Sequence, residues 1–148
     1  MYMEHIYIHT NNTVSYMQYH FVFCPRDRRK IFIIPGVEQR FKELVSLKCK
    51  ELNVQVVAIY CNVDHAHLVL SCLPTHKPAD VILTLKKYIG NALRIEIPQL
   101  SKMPNVWTRN YLISTEEELD PQIIQRYVES QRNSGVVNSK EVRNEKTD

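Results

Sequence analysis

Between residues 54 and 72 the chain reads VQVVAIYCNVDHAHLVLSC, two β-branched and aromatic runs broken only by a short polar stretch at residues 62–64. Such runs suit a pleated, half-buried surface, and a break this short leaves room for little except a hairpin, even without an Asn-Gly pair at the turn. A hairpin in mid-chain makes the sheet antiparallel there and limits what can flank it.

Further elements lie on both sides of the hairpin. Residues 13–24 (TVSYMQYHFVFC) read as a first strand, followed directly by the basic RDRRK at residues 26–30. Over residues 36–52, Val37, Phe41, Leu44, Val45 and Leu52 recur at helical spacing, with Glu38, Arg40, Lys42 and Lys50 on the outer face. After the hairpin, Pro78 is suited to open a second helix, in which Val81, Leu85, Ile89 and Leu93 form the apolar stripe. Pro98 and Pro104 bracket a loop, residues 106–115 (VWTRNYLIST) read as a fourth strand, and Asp120-Pro121 caps a third helix reaching about Asn133, before Asn133-Ser134-Gly135. The order βαββαβ plus one helix predicts an α+β fold, a ferredoxin-like or RRM-like antiparallel sheet with an appended C-terminal helix. One domain over residues 1–135 and a polar tail at 136–148 are expected.

Composition narrows the setting. At 148 residues and 44% hydrophobic content, the chain can bury the core of one domain. A net charge of +3 permits a nucleic-acid partner without requiring one. Cys24, Cys49, Cys61 and Cys72 form no CxxC pair and fall in apolar segments, which suits buried thiols in a reducing compartment. The N-terminus lacks the pattern of a secretory signal, and no apolar run approaches the ~20 residues of a membrane span, so a cytoplasmic protein with no membrane partner is expected.

Alternation along a strand puts His65 and His67 on one face and Asp64, Ala66 and Leu68 on the other, with the two histidine Cα atoms about 7 Å apart. That spacing suits chelation, and it equally suits two hydrogen-bonded polar residues on a half-exposed sheet. On the last helix Tyr127 and Gln131 share a face, with Ile123 and Ile124 one turn earlier, a pattern that fits core packing as well as it fits chemistry. Arg26, Arg28, Arg29 and Lys30 could grip phosphates, Lys86, Lys87 and Arg94 could extend the basic surface, and Trp107, Arg109 and Tyr111 could stack on or clamp unpaired bases.

Taken in order, YHFVFCPRDRRKIF, VDHAHLVLS, LKKYIGNALR, VWTRNYLIST and IIQRYVESQ resemble the HUH single-tyrosine transposases of the insertion sequence 200/605 family, the TnpA type, over roughly residues 16–133. The resemblance implies that His65 and His67 bind a divalent cation, magnesium or manganese, with Gln131 as third ligand. It implies that Tyr127 is the nucleophile that cleaves and rejoins single-stranded DNA through a 5′-phosphotyrosine, with no nucleotide cofactor. It further implies hairpin DNA as partner and a homodimer, with Arg26, Arg28, Arg29, Lys30, Lys86, Lys87, Arg94 and Arg109 as DNA contacts. Asp27, the segment KKYIGNALR and the small Ala66 depart from the family's usual pattern. Two other readings are a hairpin-binding relative that does not cut, and an unrelated ferredoxin-like metal- or RNA-binding module in which Tyr127 is packing.

Overall fold

Met17–Phe23 (β3) lies at the centre of the sheet in the computed structural model, which describes residues 5–131. Its alternate residues separate two environments. Tyr19, Phe21 and Phe23 face the main core, while His20, Val22 and Cys24 face the opposite side.

The remaining elements are assembled around that strand. Ahead of it, Ile8–His9 (β1) and Val14–Ser15 (β2) make a small two-stranded ladder. Val37–Leu52 (α1) follows, then the hairpin of Gln55–Cys61 (β4) and Ala66–Cys72 (β5), Pro78–Glu96 (α2), Leu112–Ser114 (β6) and Pro121–Ser130 (α3). The sheet order β4-β5-β3-β6, all antiparallel, is that of a split βαβ fold with an appended helix. Both α1 and α2 pack on the Tyr19/Phe21/Phe23 face. All four predicted α2 positions, Val81, Leu85, Ile89 and Leu93, are buried there.

Phe23, Phe32, Phe41 and Trp107 form an aromatic nest at one end of this core. Phe41 meets Phe32 and Trp107 edge-on at 5.2 and 5.7 Å, and Phe23 meets Trp107 edge-on at 4.9 Å. The nest explains the main departure from the expected strands. Residues 106–111 form no continuous strand: Trp107 makes only an isolated backbone bridge to Pro25 while its ring joins the nest, and the Lys86 ammonium donates to the carbonyls of Thr108 at 2.7 Å and Asn110 at 2.9 Å. Only Leu112–Ser114 remains to pair with β3. Likewise the expected first strand divides into β2 and β3, and α3 ends at Ser130; its expected end near Asn133 and the tail at 136–148 lie outside the described residues. No described helix is long and apolar enough to cross a membrane.

Burial pushes the thiols of Cys24, Cys49 and Cys61 up to about 12 and that of Cys72 to about 11, from an ordinary 9.0. Because the folded chain holds these protons more tightly than the unfolded chain, their contribution is fully present below pH 9 and is lost as pH rises towards 11 to 12. Lys86, lowered by burial to about 8, acts in the opposite direction between 8 and 10.5, but it is one group against four. The urea midpoint is therefore expected to fall above about pH 9; a midpoint level to pH 11 would contradict the thiol burial described.

Candidate active site

The side of the sheet away from α1 and α2 carries three histidines. His65 sits just before β5, where its carbonyl accepts from Asn62 N at 2.9 Å to close the turn. His67 is the second residue of β5, opposite Val22 of β3, and His20 of β3 lies opposite Val69. His20 and His67 are thus diagonal neighbours, with Nδ1 of His20 2.9 Å from Nε2 of His67.

Each imidazole has its own support. The Asp64 carboxylate lies 3.1 Å from His65 Nδ1 and accepts two hydrogen bonds from Arg28, at 2.5 and 3.2 Å. Burial tends to raise the Asp64 pKa, but the hydrogen bonds from Arg28 and His65 outweigh it and hold the carboxyl below its usual range. An ionised Asp64 accepts the Nδ1 proton of His65, which leaves the Nε2 lone pair facing Asn62 Nδ2 at 3.1 Å. Burial, with His20 and His65 nearby, depresses His67 to about 4, so its ring is neutral at physiological pH. Neutral imidazole is the form that binds metal.

Arg28 reaches Asp64 from an unusual backbone. Asp27 and Arg28 both adopt left-handed conformations, with φ of 59° and 51°. Such conformations cost non-glycine residues roughly 1 kcal/mol or more apiece. The strained turn places the guanidinium on Asp64, so Arg28 is a structural support of the histidine turn. Arg26 is half-exposed and Arg29 and Lys30 are exposed.

Across this face lies α3. Asp120 caps it, accepting from Gln122 N at 2.8 Å. Its inner residues Ile124, Tyr127 and Val128 pack with Val22, Cys24, Leu112 and Leu119, while Ile123 is exposed. A cleft of about 440 Å³ separates α3 from the turn, with Arg28, Asn62, Asp64 and His65 on one wall and Ile124, Gln125, Val128 and Glu129 on the other. The Tyr127 hydroxyl is buried and unpartnered. Burial and the neighbouring Cys24 raise its pKa well beyond the phenol range; the Thr108 hydroxyl pulls the other way without reaching hydrogen-bond geometry. Gln131 is wholly buried, and its Oε1 lacks a partner although its Nε2 donates to Ser130 Oγ at 3.2 Å.

The other expected contacts divide into two groups. Lys87, Arg94 and Arg109 gather with Asn91, Asn105 and Trp107 around a groove of about 390 Å³ beside α2. Lys86 lines the same groove but is a correction: its side chain is buried and its ammonium donates to the carbonyls of Thr108 and Asn110, so it is not the exposed basic contact expected. Trp107 is core. Three features of the site were not read from the sequence: His20, the Arg28–Asp64 pair and the contact of Thr108 with the tyrosine. Only His20 had a local signal, since the alternation of YHFVFC sets it on the face opposite Phe21 and Phe23.

Among the described residues no three or more His, Cys, Asp and Glu side chains form a metal cage. The donors of the right chemistry on the residues singled out by the sequence are neutral: His65 Nε2, which faces Asn62 Nδ2, the ring nitrogen of His67 not bonded to His20, and the orphaned buried oxygen of Gln131.

The sequence profile of the family described as "Transposase IS200 like" matches residues 13–131, the full run from β2 through α3 to Gln131. The chain belongs to the IS200-like transposase family. This family membership makes the protein a transposase, with DNA strand cleavage and transfer as its class of activity, and the family is generally metal-dependent. The ISDra2 transposase TnpA of Deinococcus radiodurans is 27% identical over 121 residues, which span 80% of this chain and 86% of that protein. Solved structures confirm the fold. A Deinococcus radiodurans R1 chain proposed to be a transposase superposes with a TM-score of 0.77 at 23% identity, over 84% of this chain and 97% of its own. A REP-associated tyrosine transposase, solved bound to a REP hairpin, gives 0.53 at 12% identity over 86% of this chain and 76% of its own.

Proposed function

We propose that this IS200-like transposase cleaves and rejoins single-stranded DNA at the ends of an insertion sequence, with Tyr127 as nucleophile and hairpins as the recognised structure. The observation that carries the reading is that the face bearing His65 and His67 is the face across which α3, the helix of Tyr127, is laid.

The phenol oxygen of Tyr127 attacks phosphorus in line. A tyrosyl O–P bond forms, the bond from phosphorus to the 3′ oxygen breaks, and that oxygen takes up a proton to leave a 3′-hydroxyl. The reverse step rejoins strands without a nucleotide cofactor, because the phosphotyrosine conserves the ester bond. His65, His67 and Gln131 would hold a divalent cation, magnesium or manganese, which when bound neutralises charge on the scissile phosphate and orients it. The dry seat of Tyr127 favours the protonated phenol, so attack requires withdrawal of that proton in the DNA complex. Arg26, Arg29 and Lys30 at the turn, and Lys87, Arg94 and Arg109 at the groove, supply cations for the DNA backbone. Exposed Val57 and Tyr60 on the edge strand β4 and Ile113 on the edge strand β6 support a homodimer that covers an edge.

The test is incubation with single-stranded DNA carrying hairpins from the element's flanks, followed by a denaturing gel and, in parallel, a sizing column. A covalent protein–DNA band is expected with magnesium or manganese, from a species of twice the 17.4 kDa chain mass. Chelator or His65→Ala is expected to reduce it by at least about a hundredfold. Hairpin binding without any band would favour a non-cleaving protein, and an undiminished band in chelator would remove the cation from the proposal.

A further inference from the structure

The two histidines proposed as cation ligands are accompanied by a third, and its hydrogen bonds are directional. His20 Nε2 lies 3.3 Å from the carbonyl oxygen of Glu117, and a carbonyl can only accept. In a neutral His20 ring the proton is therefore on Nε2, and Nδ1 is an acceptor. The partner of that acceptor, 2.9 Å away, is His67 Nε2, which must carry the proton of the shared bond. The chain of donors runs from His67 to His20 to the Glu117 backbone and fixes the remaining lone pair of His67 on Nδ1.

The setting supports a purpose beyond filling space. His20 is only 6% exposed and lies beside the apolar Val22 and Cys24, which face the same side. A buried imidazole there would be poorly suited to the layer without two satisfied ring nitrogens, and it has both. The ring centroids of His20 and His67 are 5.2 Å apart with their planes tilted by 41°, so the contact is edge-directed through the nitrogens rather than a stack. The Tyr60 ring also lies against His67, at 5.4 Å. Asp64 performs the corresponding service for His65.

We infer that His20 is a positioning residue for His67: anchored on the Glu117 carbonyl, it holds the His67 ring and its proton in place and so presents one defined lone pair to the cation. The inference rests on the proposed cation site. Outer hydrogen-bond partners of metal-binding histidines commonly contribute 10–100-fold in metal affinity.

Two measurements test it. In metal-free, ¹⁵N-labelled protein, a coupling across the N–H···N bond is expected between His67 Nε2 and His20 Nδ1, and its absence would overturn the assignment. Manganese titration followed by the loss of the free-ion resonance signal is expected to give about 10–100-fold weaker binding for His20→Ala. His20→Asn, whose Oδ1 takes the place of Nδ1 as acceptor, is expected to recover most of that loss, with thermal melts checking that both variants fold. Unchanged manganese affinity in His20→Ala, or a folded His20→Asn no better than alanine, would overturn the role. If wild-type protein binds manganese and cleaves DNA while His20→Ala matches it, this inference alone fails. Wild-type protein that takes up no manganese and forms no covalent band removes the cation site and the inference together.

Discussion

Tyr127→Phe is expected to abolish the covalent protein–DNA species and reduce strand cleavage by at least about a thousandfold, because no other group replaces the attacking oxygen. The same substitution is expected to leave stability within about 1 kcal/mol of wild type, or to raise it. The hydroxyl is buried without a partner, so removing it relieves a desolvated polar group and breaks no hydrogen bond. The ring, which packs with Val22, Cys24 and Leu119, is retained. Cleavage on a denaturing gel and a urea titration of the same preparation separate the two effects. Persistent covalent product would remove Tyr127 from the mechanism, whereas a loss of several kcal/mol would show that its hydroxyl is bonded in solution.

Phe41→Ala is expected to have the largest effect on stability, a loss of about 3–5 kcal/mol from a total that for a domain of this size is roughly 5–15. Phe41 is fully buried and is the ring that touches Phe23, Phe32 and Trp107 at once. Its removal leaves a cavity between α1 and the loop at 105–109. That loop also carries Thr108, whose backbone N–H donates to the Cys24 carbonyl at 3.0 Å, next to the seat of the tyrosine. Thermal melting should fall by about 10–15 °C, and a fall under about 3 °C would mean that the nest can collapse around the gap.

The order of elements was legible because each of its signals is local. Pro78 opens α2, the apolar period marks α1, and the short polar break between β4 and β5 admits only a hairpin. What escaped the sequence depends on contacts far along the chain. Residues 106–111 have strand-like composition but are drawn out of the sheet by Trp107 and by Lys86, and Lys86 itself carries no sign of burial in LKKYIG. The β1–β2 ladder is two residues long on each side, too short for any alternation to show.

The site follows the same division. Spacing and resemblance single out His65, His67, Tyr127 and Gln131, and the elements that carry them meet on one face of the sheet. Arg28 was read as one more cation of RDRRK because nothing in that run hints at its left-handed backbone or at Asp64, thirty-six residues away. His20 stands in the YHFVFC run that carries the resemblance, but its role emerges only with its diagonal partner on β5.

The attachment of α3 has a consequence for how a small transposase can work. Of the ten residues in the helix, only Val128 is fully buried, assisted by the half-buried Ile124 and Tyr127. Burial on that scale stabilises the docked helix by a few kcal/mol at most, and ten residues are too few to hold a helix together alone in water. The proposed chemical centre is thus divided between a rigid half, built into β3 and β5, and a half whose docking energy is comparable to the binding energy of one modest ligand. On the proposed reading, binding of DNA would supply enough energy to release such a latch, while the sheet that carries the histidines stays folded.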